Sequence, residues 1–501
     1  MSERRVIVIG SGPAGAMAAH KLVSLGIPVT MMESGQTLPS GLLLRVLDRN
    51  LVRRMPDAER HILRNEEGNP NGALWIRHLS PGGLSNQWTG AVPRFAAEDF
   101  VEGERLHECY RWPIRYADLQ PYYEESERLI GVSGEVGDVP NLPAGVITYE
   151  RRLPPDWRPI ASRAAANGQG LTSLPLADGP PTMLVRRGTA FNSFSNVVVP
   201  LLKSGHFQFL SGAHALELES SPTDGRVNAV VYHDRSDGQE KRLTASAIVI
   251  ACGPLHSTKL LFDSTSAAFP DGLGNSGGLL GRYLHDHVRD WWACDLDRPI
   301  SLLSSAAYLT RKPFETSAPL IATSWTIGVA DTTDRIRSRA NLKSKSLGVQ
   351  VFGTVVPGER NFVRRSSTRT DPFGRPELDV RMTFGDDDVQ NVLDARQTLL
   401  DLFRSSGYAP EVRRAETVLT PGESVHFGGT IRMHESRTYG VTDAWNRLYD
   451  APNVLACDAS CFTTGSEKNP TLTAMAIAAR AVDRLAHDLK QGTTLTAGAS
   501  R

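Results

Sequence analysis

The first 33 residues constrain the fold more than any other part of the chain. They read MSERRVIVIGSGPAGAMAAHKLVSLGIPVTMME: an apolar run, a glycine-rich turn, a helical stretch, and a second apolar run ending on an acid. Val6–Ile9 is apolar throughout, as a parallel strand buried on both faces is. Gly10, Gly12 and Gly15 then fit G-x-G-x-x-G, and the helix that follows carries Met17, Leu22 and Leu25 before Gly26 ends it. Val29–Met32 predicts a second strand running into Glu33, 23 residues after Gly10. Glycines so placed permit a tight turn and the close approach of a pyrophosphate to a helix N-terminus, and the acid can bind a ribose hydroxyl. The expectation is an α/β fold with a Rossmann-type nucleotide-binding domain.

The pieces of that domain are spread along the sequence. Around 207–252 the pattern returns to strands, ending in SAIVIACGP, where Ala247–Ala251 is again apolar and precedes Gly253 and a helix through Leu260 and Leu261. Residues 112–134 predict a turn, an amphipathic helix and a glycine stop. Between about 300 and 415 the character changes. LGVQVFGTVV predicts a strand, and PELDVRMTF alternates Leu378, Val380, Met382 and Phe384 as a half-buried antiparallel strand does. Val389, Val392, Leu393, Leu399, Leu400 and Phe403 mark one helical face. A second domain with a mainly antiparallel sheet accounts for this. The division expected is 1–95, 190–299 and 416–501 for the nucleotide domain, and 96–189 and 300–415 for the other. Residues 39–70 read as helix and loop, and the charged, aperiodic stretch 331–346 as a surface loop near the substrate entrance.

Composition removes several classes of partner. Lys plus Arg and Asp plus Glu are both 55, a balance that argues against nucleic acid or an anionic membrane as the main partner. No apolar run approaches the roughly 18 residues of a membrane helix, and a strand is predicted too early for a signal peptide, so the expectation is a cytoplasmic protein. Five scattered cysteines make no disulfide framework, and Cys457 with Cys461 lacks the second pair of a zinc site. His285, Asp286 and His287 have the residue types of metal ligands, but no metal is expected there.

The last hundred residues carry SVHFGGTIRMHES and later CDASCFTTGSEKNPTLTAMAIAARAVDRL. Pro470 suits the first turn of a helix whose apolar face is Leu472, Met475, Ala479, Val482 and Ala486. Asn469 thus lies at a helix N-terminus, where the dipole favours negative charge. His426 precedes Gly428 and Gly429, in a loop that can approach a ring closely.

With GSGPAG and Glu33, GGLSNQW, WPIRYADLQPYYEESERL, ACGPLHSTKLL, GNSGGLLGRYLHDH and DPFGRP, these segments resemble the glucose–methanol–choline (GMC) superfamily of FAD oxidoreductases. Within it they are most similar to pyranose oxidases and bacterial sugar and glycoside 3-oxidases, over most of the chain and in the family's order. The resemblance implies the GMC architecture, like that of p-hydroxybenzoate hydroxylase. It implies an FAD-dependent oxidation of a secondary ring hydroxyl of a pyranose or glycoside, C3 favoured over C2, with O2 or another acceptor taking the electrons. His426 matches the family's catalytic base and Asn469 its amide partner. Gly10, Gly12, Gly15, Glu33, Gly82, Gly83, Ser85, Asn86, Gln87, Ala251, Asp458, Pro470 and Thr471 match positions around FAD. The alternatives are a dehydrogenase of another alcohol serving a quinone or carrier protein, and a flavin-binding redox sensor without turnover. The oligomeric state is left open.

The GGLSNQWTG loop carries a further expectation. In covalent pyranose oxidases the matching loop reads Ser-x-His-Trp, and its histidine bonds the flavin. Here Ser85, Asn86, Gln87 and Trp88 put an amide in its place, whose nitrogen is not nucleophilic, so FAD is expected to be held non-covalently with Gly82 and Gly83 near the isoalloxazine ring. Trp291 and Trp292 suit either a sugar-stacking wall or the core, and Arg94 a surface or phosphate-facing cation.

Overall fold

The computed structural model describes residues 5–36, 60–63, 75–178, 191–221, 225–303, 305–313, 318–330, 343–418, 420–493 and 495. Its first layer is a five-stranded sheet in the order Val454–Ala456, Ala247–Ile250, Val6–Ile9, Val29–Glu33, Phe207–Ser211, with every neighbouring pair parallel. The three apolar strands Val6–Ile9, Ala247–Ile250 and Val454–Ala456 are buried at every position, which is why they are apolar without alternation. Because the strands run the same way, the Gly10 turn, Glu33, the Gly253 turn and Asp458 all leave from one edge, the carboxyl edge where such sheets bind ligands.

The helix Pro13–Ser24 starts at that edge and packs against Thr471–Gln491, which packs in turn against Tyr116–Ile130. Leu472, Met475, Ala479, Val482 and Ala486 are all buried, and so are Ala474, Ile477, Ala478 and Ala481, since the Thr471–Gln491 helix is enclosed on more than one side. Tyr116–Ile130 ends at Gly131, whose φ of +69° a glycine adopts without strain.

The second layer is a six-stranded antiparallel sheet, ordered Glu411–Val418, Val288–Ser301, Lys343–Gly353, Thr323–Val329, Ala307–Leu309, Leu171–Ser173. One face is apolar: Trp292, Val349, Val351, Trp325 and Ile327 are buried, and the Trp325 indole donates to the Ala395 carbonyl of the helix Asp386–Ser405 (3.0 Å).

The structure differs from the sequence reading at two segments, Arg60–Leu63 and 343–346, and adds detail at two others. Pro376–Arg381 is an antiparallel strand, but it pairs with Phe362–Thr370 in a separate ribbon. Arg60–Leu63 is a strand paired with Trp75–His78, where helix or loop was expected, and most of the rest of 39–70 lies outside the described residues. Lys343–Ser346 belongs to a strand, where the end of a surface loop was expected; 331–342 lie outside the described residues. The Val288–Ser301 and Glu411–Val418 strands also run across the expected divisions at 299/300 and 415/416. Among the described residues no helix is long and apolar enough to cross a membrane.

Candidate active site and nucleotide turn

The Gly10 turn is packed on one side and open on the other. A Cβ on Gly10 would lie 2.4 Å from the Ala251 carbonyl oxygen, and one on Gly15 would lie 2.1 Å from the Gly10 oxygen, so both contacts admit only hydrogen. Ala251 therefore serves as the wall behind the turn. Among the described residues, chain neighbours aside, nothing lies within 4 Å of where a Cβ on Gly12 or on Gly253 would stand. Glu33 is buried and accepts from the Ser11 amide (3.1 Å), the Ser11 hydroxyl (2.5 Å) and the Gly35 amide (2.9 Å). Burial pushes its carboxyl up, and these donors pull it back down. The Asp458 carboxylate, also buried and also pushed up by burial, accepts from Ser257 Oγ (2.6 Å), Ser460 N (2.8 Å) and Gly253 N (3.0 Å). It braces the second turn against the last strand of the sheet.

The GGLSNQWTG segment is a short 3-10 helix, Gly83–Asn86, entered through Gly82 at φ +97°. Its two glycines approach the nucleotide turn itself: Gly82 N donates to Ser11 Oγ (2.9 Å), and a Cβ on Gly83 would lie 3.5 Å from Gly12 Cα. Ser85 donates to the Gly82 carbonyl (2.6 Å) and meets Ser193 (3.1 Å), while Asn86 donates to the Gly83 (2.9 Å) and Pro81 (3.1 Å) carbonyls. Ser85 and Asn86 are thus spent on holding the loop. Gln87 is different. Its side chain is half-buried and makes no hydrogen bond to the described residues.

His426 and Asn469 come from segments more than forty residues apart and meet. Asn469 Nδ2 lies 2.9 Å from His426 Nε2, with Pro470 and Thr471 beginning the long helix immediately after. Behind His426 stands His287, whose Nδ1 is 3.0 Å from His426 Nδ1. His287 Nε2 faces the Ser466 carbonyl at 2.6 Å, and a carbonyl only accepts, so that nitrogen carries the proton. Burial lowers the pKa of His287 and keeps its ring neutral, which leaves Nδ1 as an acceptor. His426 Nδ1 must then be the donor, and the His426 lone pair is left on Nε2, toward Asn469. The tautomer, assigned from the partners, is that of a general base. Burial first, then the neighbouring His287 and Arg289, holds the His426 pKa well below its ordinary value.

Asp286 fixes the loop that carries His426. Its buried carboxylate accepts from the amides of Gly422 (2.9 Å) and His426 (2.9 Å) and from the Ser424 hydroxyl. Val425 between them takes φ +59°, a conformation that costs a β-branched residue about 1–3 kcal/mol and persists where surroundings impose it. His285 fills the space beside it: a Cβ on Gly428 would lie 2.5 Å from its Nε2, and one on Gly429 2.6 Å from its Nδ1. The ring that the HFGGT glycines admit so closely is this imidazole, buried, and pushed down to about 3 by burial. His285, Asp286 and His287 thus serve three different contacts, and among the described residues no cluster could hold a metal ion.

Arg94 is no surface cation. It is buried and forms two bonds to Glu127 (2.7 and 2.6 Å) and one to the Tyr116 hydroxyl (2.9 Å). Trp292 is in the core, and Trp291 lies on the opposite face of the same strand.

Residues 357–478 match the GMC oxidoreductase family. The chain is 30% identical over 524 residues to 6'''-hydroxyparomomycin C oxidase of Streptomyces lividus, covering 96% of this chain and 93% of that protein. This chain is a GMC oxidoreductase. Paromamine 6'-oxidase of Streptomyces fradiae is 28% identical (97% and 91% covered), and a C-glycoside 3-oxidase of Microbacterium trichothecenolyticum is 26% identical (85% and 78%). Among solved structures, pyridoxine 4-oxidase from Mesorbium loti superposes with a TM-score of 0.66 at 18% identity, covering 96% of this chain and 99% of that one. GMC oxidoreductases bind FAD, and the residues present fit it. The space beside Gly12 and Gly253 at a carboxyl sheet edge gives a pyrophosphate room, and Glu33 ends the second strand at that edge, where a carboxylate can accept from a ribose hydroxyl.

Proposed function

We propose that this GMC oxidoreductase oxidises a hydroxyl of a sugar or glycoside to a carbonyl, with His426 as the base and Asn469 as its partner. The observation that carries the reading is the 2.9 Å contact between His426 Nε2 and Asn469 Nδ2, with the lone pair directed there by His287 and the Ser466 carbonyl. A substrate oxygen that replaces this direct hydrogen bond, with the two groups moved apart, would donate its proton to Nε2 and accept from the Asn469 amide. FAD, when bound, supplies the acceptor for the carbinol hydride. His426 takes the hydroxyl proton at Nε2 while Nδ1–H remains on His287, and burial makes the protonated ring return its proton readily. The free N–H groups of the helix after Asn469 favour negative charge nearby. A redox sensor would need neither the base nor its tautomer lock.

A secondary ring hydroxyl, C3 before C2, remains the first reading, supported by the likeness to a C-glycoside 3-oxidase. A second reading, an exocyclic C6 hydroxyl of an aminoglycoside, is favoured by the higher identity to the 6'''-hydroxyparomomycin C and paromamine enzymes. O2, or a quinone or carrier protein, would reoxidise the enzyme. The parallel sheet is the FAD-binding part and the antiparallel sheet the substrate part, with the boundaries moved to about 287 and 418 so that whole strands stay together. FAD is held non-covalently by the Gly10 turn, Glu33 and the loop of Gln87, since no nucleophile stands where the covalent relatives have histidine. Acid precipitation should leave all yellow colour in the supernatant; colour in the pellet would contradict this.

The test of function is anaerobic mixing of the yellow holoenzyme with free sugars, alkyl and aryl glycosides and aminoglycosides, followed by NMR of the product. Bleaching by a glycoside, with a new carbonyl at C3 or C6, supports the reading and decides between its forms. A flavin that stays oxidised with every sugar and glycoside would overturn it.

A further inference from the structure

The antiparallel sheet turns a polar face toward the catalytic pair, and its register sets that face out in rows. Arg289, Phe352 and Ser324 form the first row, paired strand to strand. This row adjoins the site: the Phe352 and His426 ring centroids are 4.9 Å apart, and Ser324 Oγ donates to the Glu467 carbonyl (2.7 Å), two residues before Asn469. The second row, two residues further along each strand and so on the same face, is Trp291, Gln350, Thr326 and Tyr308, again directly opposite one another. It lies about 7 Å from the first row and extends about 14 Å across four strands.

Packing places the Tyr308 ring in a small core cluster with Ala91, Leu142, Leu174 and Leu176, but leaves the Gln350 amide and the Thr326 hydroxyl beside it half-exposed. The opposite face of the same four strands is apolar and packed, as a core requires. The row instead holds an indole, an amide, a hydroxyl and a phenol on central strands, where an edge cannot explain exposure. Trp291, Gln350 and Thr326 are nevertheless half-exposed. Among the described residues, the Gln350 and Thr326 side chains have no hydrogen-bond partner. The Tyr308 hydroxyl, in a residue 1% exposed, lies beside Ser324 without reaching hydrogen-bond geometry to any described group. Aromatic area beside unspent amide and hydroxyl groups is the chemistry that recognises a carbohydrate ring.

We propose that the second-row residues Trp291, Gln350, Thr326 and Tyr308 bind a second ring of the substrate, the one not oxidised, so that this enzyme acts on compounds of two or more linked sugar rings. The inference rests on the functional reading above. Gln350 and Thr326 supply hydrogen bonds to ring hydroxyl or amino groups, and the buried Tyr308 hydroxyl is completed when the ligand arrives. These are specificity residues, since none of them touches the proton that His426 removes.

The experiment compares the holoenzyme with Gln350→Leu, Thr326→Val and the double variant, using methyl α-glucoside as a one-ring probe and maltose and paromamine as two-ring probes. Calorimetric Kd and anaerobic flavin reduction are measured separately. The double variant should weaken two-ring binding about ten-fold, the loss of one to two hydrogen bonds. Its flavin reduction rate at saturation and its methyl glucoside affinity should stay within about two-fold of the wild type. Unchanged two-ring Kd in the double variant, equal losses for one-ring and two-ring probes, or no measurable binding of either two-ring probe to the wild type would overturn the inference. Two-ring binding that depends on Gln350 and Thr326 without any bleaching would sink the functional reading and leave this site standing.

Discussion

The base role proposed for His426 rests on two neighbours that decide where its proton sits. The Ser466 carbonyl orients His287, and His287 holds the proton of His426 on Nδ1. His287 is therefore a positioning residue. His287→Leu should lower the rate of flavin reduction about ten- to hundred-fold by freeing the tautomer, whereas His287→Asn, whose amide oxygen can still accept, should recover part of it. Equal rates in both variants would mean that His287 only fills space. The pH profile follows from burial. A histidine whose folded pKa is lowered is neutral at and above its ordinary value near 6.5, and it is lost as a base only as pH falls through the lowered value. Flavin reduction should be flat from about pH 6.5 to 8 and should decline in acid; a rise centred between 6.5 and 7.5 would contradict the assignment. His426 and Asn469 were legible in the sequence because their flanking strings resemble a family. His287 was not, because HDH has the residue types of a metal site and its partners lie about 140 and 180 residues away.

At the scale of elements, glycines mark where one segment presses on another, but a sequence does not say which. Gly428 and Gly429 read as a loop that can approach a ring, and the ring is that of His285, brought there by pairing of His285 with Gly428. Gly82 and Gly83 read as lying near the isoalloxazine ring, and among protein groups they meet Ser11 and Gly12 of the nucleotide turn. The strand–turn–helix at the N-terminus was legible in full, since it is local and its pattern is rigid. The long antiparallel strand Val288–Ser301 was missed, because both of its faces carry tryptophan and its partners come from far along the chain. Gly429→Ala tests the element-level account: its φ is +89°, and its Cβ would meet the Tyr283 oxygen at 2.3 Å. The substitution should cost about 2–4 kcal/mol, read as a lower urea midpoint, because it adds a strained backbone to an overpacked contact. An unchanged midpoint would show that the loop has slack to yield.

The whole molecule is tied together under the site by buried charge. Lys468, next to Asn469, bonds Asp99 (2.9 Å) and Glu467 (2.6 Å), and Arg311 joins Asp99 (3.3 Å) to Glu102 (2.7 Å), with all five side chains nearly inaccessible. These residues come from three distant stretches of sequence, so the network fixes the polar sheet relative to the helix that follows Asn469. Lys468→Met would leave Glu467 without its ion-pair partner and Asp99 with Arg311 alone, and should destabilise the fold by about 3–5 kcal/mol. Unfolding at the wild-type denaturant concentration would count against that account. None of this network was legible in the sequence, where charged residues read as surface and only the folded contacts show them paired.

The central claim is that one imidazole, set between a sheet that holds the substrate and a turn that holds FAD, removes the hydroxyl proton. Rapid anaerobic mixing of His426→Ala with a glycoside that bleaches the wild type tests it most directly, with FAD content measured in the same samples. The account predicts normal FAD content, an unchanged fold, and flavin reduction slowed by roughly 10² to 10⁴, the usual contribution of a general base. Reduction at a rate near that of the wild type would contradict it.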